Sequence, residues 1–311
     1  MPFPIGANAR IRTNTPAENA YNALDASNRE ISLRQLRLST GKRINNASDD
    51  VAGYITTRAL TARNGSLKAA LNSIGDANNV TNILMDSLDA INDLVTKIKD
   101  ATSTAASGAM GSDEKVALAK SAYRMVQQIE TVVNSTVFGG AQLLDGSYSA
   151  NFIVSSTATN TLLSIEVNMR GNNQDFNIES NNFYLNNINS ANFAGVSGLN
   201  LSSLNLVSST TLGVFDPSTI STTLTSLSQA LNNVNKVASF LGGISNRLTS
   251  QEDLIKNQIT NYNAAISRLE DADVAKEQLS LVKAQFLQQA SIVSLAQANQ
   301  NPNSFMTLIR G

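Results

Sequence analysis

Residues 36–53 read LRLSTGKRINNASDDVAG. The centre, Thr40-Gly41-Lys42, resembles the end of a phosphate-binding loop, and Asp49-Asp50 offers two carboxylates for acid/base work. A phosphate loop needs a glycine five positions before its Gly-Lys pair, so that successive N–H groups curl round the anion. It also needs Ser or Thr after the lysine to hold magnesium. Here Leu36 stands five before Gly41, Arg43 follows Lys42, and the residues leading in carry helical spacing. A joint between two helices fits better. Gly41 can take the left-handed conformation that ends a helix. Lys42 and Arg43 suit the last carbonyls and the negative dipole end. Ser48, Asp49 and Asp50 are capping and first-turn residues for the next helix. The competing reading has Asp49 and Asp50 touching a second molecule.

Composition removes most chemistry. Lys and Arg number 23 against 24 Asp and Glu, and His, Cys and Trp are absent. Without Cys there is no disulfide and no thiolate metal site. Without His there is no ordinary catalytic triad and no imidazole ligand. A net charge of −1 gives no electrostatic case for nucleic acid and does little to oppose self-association. No run approaches the roughly 20 apolar residues of a membrane span, so no membrane insertion is expected. The opening MPFPIGANARIRTNT lacks the apolar core of a secretory signal. A soluble chain is expected, one that leaves the cell, if it does, without a cleaved signal. No cofactor, metal or catalytic residue is predicted. Absence of Cys is either chance or the mark of a chain exported unfolded.

The five prolines, Pro2, Pro4, Pro16, Pro217 and Pro302, leave two long stretches free of helix breakers. From Leu224 a 3/4 stride runs through Leu227, Leu231, Val234, Ala238, Leu241, Ile244 and Leu248, then Ile255, Ile259, Tyr262, Ile266 and Leu269. It continues through Leu279, Val282, Phe286, Ala290 and Val293. This is the helical period, with breaks expected at Gly242-Gly243 or at Glu270–Asp273. In the N-terminal half Ala17, Leu24, Ile31 and Leu38 recur at seven-residue steps. Leu67, Leu71, Ile74, Leu84, Leu88, Ile91, Val95 and Ile98 form a broader stripe, and Val116 to Val133 a third helix. A bundle core explains the broad stripes; the two ends carry narrow heptad seams. In between, 152–169 alternates apolar residues round a Thr-Asn turn and reads as a β-hairpin. The remainder, to about residue 215, is expected as short strands and loops. The predicted fold is mainly α: long antiparallel helices forming terminal coiled-coil and helical-bundle regions, with a small central β-hairpin module.

The quoted stretch resembles the N-terminal signature of bacterial flagellins. SRLEDADVAKEQLSLVKAQFLQQASIVSLAQANQNPNSFMTLIRG (267–311) is similar to their C-terminal signature. GSYSANFIVSSTATNTLLSIEVNMRG (146–171) is similar to their hairpin region, and STVFGGAQLLDG (135–146) to the turn before it. The first 20 residues depart from the family's usual opening, and the variable insertion is short.

The resemblance implies a structural subunit, not an enzyme. It would be secreted unfolded by the flagellar type III system, fold its termini on assembly, and polymerise into the flagellar filament for swimming motility. Residues 1–45 and 270–311 are expected to form the inner filament-core domain. Residues 46–146 and 216–269 would supply the helices of the outer-tube domain, and 147–215 a small β/variable module. Leu24, Ile31, Leu38, Leu279, Val282, Phe286 and Val293 are expected in filament-core packing, with Phe286 near the Leu24–Ile31–Leu38 seam. Gly41, Lys42, Arg43, Asp49 and Asp50 form the inter-helix joint. Implied partners are further copies of the chain, an export chaperone, the filament cap and hook-junction proteins. The alternative within the same architecture is a hook–filament junction protein. The metalloprotease insertion of some relatives needs His-Glu-x-x-His, which a chain without His cannot supply. An immune-receptor patch would fall at Lys97, Ala101 and Thr104.

Overall fold

The computed structural model describes residues 13–156, 162–176, 178, 183–187, 193–196 and 198–310. The opening with Pro2 and Pro4, the Thr159-Asn160 turn and parts of 171–215 lie outside the described residues. The order of elements is α1 (Thr15–Thr40), α2 (Val51–Ala105), α3 (Ser112–Ser135), β1 (Val137–Phe138), β2 (Ala141–Gln142), β3 (Ser149–Ser156), β4 (Leu162–Asn168), α4 (Ile220–Glu270) and α5 (Val274–Arg310). The chain is mainly α, with two small two-stranded sheets among the described residues. It divides into two compact units, one of Met1–Asn64 with Thr260–Gly311, the other of Gly65–Ile259.

In the first unit α1 begins at Asn14, whose Oδ1 accepts from the N–H of Ala17 at 3.2 Å. Pro16 sits in the first turn, where its missing donor costs nothing. α1 ends at Gly41, with φ at 69°. α5 lies antiparallel to α1, as three ties show. The Asn14 amide donates to the Ala298 carbonyl at 2.9 Å, Gln288 donates to Asn28 at 2.7 Å, and Arg34 reaches Glu277.

The second unit has the larger core. The broad stripes read from the sequence are its inside: Ile74, Leu84, Leu88, Ile91, Val95 and Ile98 on α2, Ala119, Val126, Ile129 and Val133 on α3, and Leu227, Val234, Leu241, Ile244, Leu248 and Ile255 on α4 are all buried. Asn92 donates to Asn235 at 2.7 Å and Asn78 to Glu252 at 3.3 Å, so α2 and α4 run antiparallel here. Gly242-Gly243 does not interrupt α4, which runs unbroken to Glu270. Each glycine costs about 1 kcal/mol in a helix interior, less than the buried Leu241, Ile244 and Leu248 around them return.

The hairpin is present: β3 and β4 pair antiparallel, Phe152 opposite Ile165, with a register irregularity between Ile153 and Ser155. β1 and β2 turn through Gly139 and Gly140 at φ 59° and 85°, the two-residue turn that needs positive φ twice. Where short strands and loops were expected after the hairpin, the described residues hold 3₁₀ turns at Gln174–Phe176, Phe193–Gly195, Leu201–Leu206 and Gly213–Phe215. Apolar residues here fall in short groups of one to three, set among Asn, Ser, Thr and Gly, too short to sustain a long ladder. Single side chains anchor the turns. Phe176 meets Phe183 and Phe240 edge to face at 5.7 and 5.2 Å.

Candidate functional site

The residues singled out at the joint come together in the first unit. Gly41 is the left-handed end of α1. Asp50 caps α2, its Oδ1 accepting from the N–H of Gly53 at 2.9 Å. Asp49 faces backward instead: its Oδ2 accepts from the N–H groups of Asn45 and Asn46, both at 3.0 Å. Donation from Asn46, and then from Asn45, holds the Asp49 carboxyl below the usual carboxylate range. Ser48 makes neither cap. Gly53 is there because a Cβ would lie 2.6 Å from both Asp50 Oδ2 and Ile44 Cδ1.

Lys42 and Arg43 serve another helix than expected. They close the end of α4, not of α1. The Arg43 N–H donates to the Glu270 carbonyl at 2.6 Å and its guanidinium to the Leu269 carbonyl at 2.8 Å. Lys42 Nζ pairs with Glu270 at 2.6 Å. The N–H of Ala272 returns to the Gly41 carbonyl at 2.9 Å, and Lys42 bridges Asp271 antiparallel. The joint therefore clasps both chain ends: α1–α2 and α4–α5 turn at the same place, and cations at the α4 terminus oppose its negative dipole end. Nothing local marks Asp271 as the partner of Lys42.

Beyond the joint, α1 and α5 pack along a seam of modest side chains. On α5 it follows Glu277, Leu281, Ala284, Gln288, Ser291, Leu295 and Ala298, in 4/3 steps. On α1, Ala20 and Ser27 are buried, while Leu24, Ile31 and Leu38 are half-buried. The large apolar stripe predicted on α5 is on another face. Leu279, Phe286 and Val293 are 71, 67 and 69% exposed, and Val282 is exposed to a lesser degree. Within the chain, Phe286 is thus not held against the Leu24–Ile31–Leu38 seam. Tyr21 and Leu36 on α1 and Val51 and Ile55 on α2 are exposed as well. An exposed apolar surface of this extent marks an interaction site.

One ion cluster is buried in the seam, and the sequence did not point to it. Glu277, its side chain 9% exposed, receives Arg34 at 2.9 Å and Arg37 at 3.4 Å. Among the described residues no cluster of three or more His, Cys, Asp or Glu could hold a metal, and no helix is long and apolar enough to cross a membrane. Lys97 and Thr104 are exposed on α2 and Ala101 is half-buried.

Two family models match the chain: the bacterial flagellin N-terminal helical region over residues 11–149, and the bacterial flagellin C-terminal helical region over residues 224–309. The chain belongs to the bacterial flagellin family. Among curated flagellins, that of Bacillus subtilis is 27% identical over 97% of this chain and 100% of its own length. The flagellar filament 33 kDa core protein of Treponema phagedenis is 25% identical over 96% of this chain and 99% of its own. A solved structure of a proposed flagellar hook-associated protein from Vibrio parahaemolyticus shares the fold, with a TM-score of 0.55 and 14% identity over 72% of this chain and 100% of that one. Flagellins are structural proteins, and this flagellin is a structural subunit of the flagellar filament. The matched regions hold the joint and nearly all of both terminal helices.

Proposed function

We propose that this flagellin is exported unfolded, that its terminal helices complete their folding only as the subunit joins the filament, and that α1 and α5 then form the filament's inner wall. The observation that carries this reading is the exposed stripe Leu279, Val282, Phe286 and Val293. The α1–α5 seam holds few large apolar side chains. Ordering a residue costs roughly 1–2 kcal/mol, while burying a Leu or Phe returns about 1.5–3 kcal/mol. A helix pair of this kind is marginal alone. Neighbouring copies that cover the outer stripe would supply the missing burial. The expected partners are other copies of the chain, an export chaperone, the cap and the hook-junction proteins, and the expected location is outside the cell in the filament.

Seeding tests it. Purified full-length protein, mixed with short filament fragments, should elongate them in negative-stain images, with a rise in helical circular dichroism as it does so. Particles that stay dispersed beside the seeds would sink the proposal. The junction-protein alternative predicts addition at hook ends without self-propagation, so the same images separate the two.

A further inference from the structure

The α1–α5 seam has a weakness in its own repeat. On α5 Ala284, Ser291 and Ala298 recur at seven-residue steps, and on α1 Ala20 and Ser27 do the same. Small, equivalent side chains at heptad spacing pack about as well after a slip of one heptad, roughly 10 Å along the axis. Apolar shape along the seam therefore leaves the register to polar ties. The clasp of Gly41–Arg43 on Leu269–Ala272 acts at one end, Asn14 and Gln288 tie the helices farther on, and between them lies one buried charge. Glu277 is the buried acid of the seam, and it takes two arginines from successive turns of α1, Arg34 at 2.9 Å and Arg37 at 3.4 Å. Arg34 is steadied by Glu30, also at 2.9 Å. After a one-heptad slip Glu277 would stand about 10 Å from the turns that carry Arg34 and Arg37. A buried charge without its partner is strongly disfavoured. Arg37 Nε has no hydrogen-bond partner, a cost that is tolerated at this position for the contact its other nitrogen makes.

We propose that Glu277, through Arg34 and Arg37, is the buried positioning residue that holds the register of α5 against α1 along the seam beyond the clasp, and so the height at which Leu279, Phe286 and Val293 are offered to the next copy. The buried pair serves uniqueness more than stability, since such pairs are often replaceable by apolar residues without loss. The second half of the statement rests on the filament reading; the first does not.

Because the chain has no cysteine, engineered pairs report register directly. Asn28 and Gln288 are hydrogen-bonded at 2.7 Å, so Asn28→Cys with Gln288→Cys should cross-link in the parent chain. Asn28→Cys with Leu295→Cys should not, because seven residues of helix exceed the roughly 7 Å disulfide reach. With Glu277→Leu added, the slipped product should rise about tenfold or more while helical content is kept. Reversing the charges, Glu277→Arg with Arg34→Glu and Arg37→Glu, should restore the single product. Both readings are taken in the full-length soluble chain as well as in filaments, so failure to polymerise does not remove the result. If Glu277→Leu costs helical content, the near-isosteric Glu277→Gln takes its place with the same expectation. Single-register cross-linking in these variants, or two products in the parent, would overturn the proposal.

Discussion

Gly53 sits where no side chain fits, in the first turn of α2 against Ile44 and the capping carboxylate of Asp50. Gly53→Ala should therefore cost about 1–3 kcal/mol through overpacking, seen as earlier melting or faster hydrogen exchange at the joint. Gly65→Ala is its control: same helix, nothing within 4 Å, and a gain of about 0.5–1 kcal/mol from helix propensity. Asp49 gives a pH signature. Its folded-state pKa is depressed by the Asn46 and Asn45 N–H groups, so its contribution is present above the ordinary aspartate value of about 3.9. It is lost as pH falls through the depressed value. Thermal melts of the parent and Asp49→Asn should differ at neutral pH and converge in that acid window. A constant difference down to pH 2 would contradict the assignment. Gly41 and Asp50 were legible in the sequence because caps are local. The destination of Lys42 and Arg43 was not, because their partners at Leu269 to Asp271 lie at the other end of the chain.

At the scale of the element, α5 carries two heptad rows, and the sequence reading followed the exposed one. A stride through the largest apolar residues selects Leu279, Val282, Phe286 and Val293, since hydrophobicity is what periodicity detects. The helix has a second heptad row, Leu281, Ala284, Ser291 and Ala298, whose small residues permit close approach to α1 but carry little hydrophobic signal. The broad stripes of α2, α3 and α4 were read correctly because each of those helices has one apolar face. The consequence for Phe286 is specific. Phe286→Asp should leave the melting of the isolated subunit within about 0.5 kcal/mol of the parent, as exposed sites do, yet abolish seeded polymerisation. Loss of subunit stability without loss of polymerisation would place Phe286 elsewhere.

For the molecule as a whole, the separate core of Gly65–Ile259 implies that the two units differ in autonomy. Residues 65–259 expressed alone should unfold in one cooperative transition, with Phe176, Phe193 and Phe215 still buried as they are in the full chain. Residues 13–64 or 260–310 alone should show little structure, because each contains only one side of the α1–α5 seam. Circular dichroism melts of the fragments check both statements. This division was only partly visible in the sequence: the change from narrow seams to broad stripes is there, but the boundary at Asn64 and Gly65 falls inside an unbroken helix.

The clasp at Gly41–Arg43 also has a kinetic meaning. Arg43 binds a carbonyl 226 residues later, and closing a flexible loop of that length carries an entropy term of about 5 kcal/mol. Compaction of the intervening chain shortens the effective loop and removes part of that term before the clasp forms. The Arg43 to Leu269 contact should accordingly be among the last made on refolding. When the chain is pulled from its ends it should open only after the α1–α5 seam has unzipped, which makes it a latch between the terminal helices and the rest of the subunit.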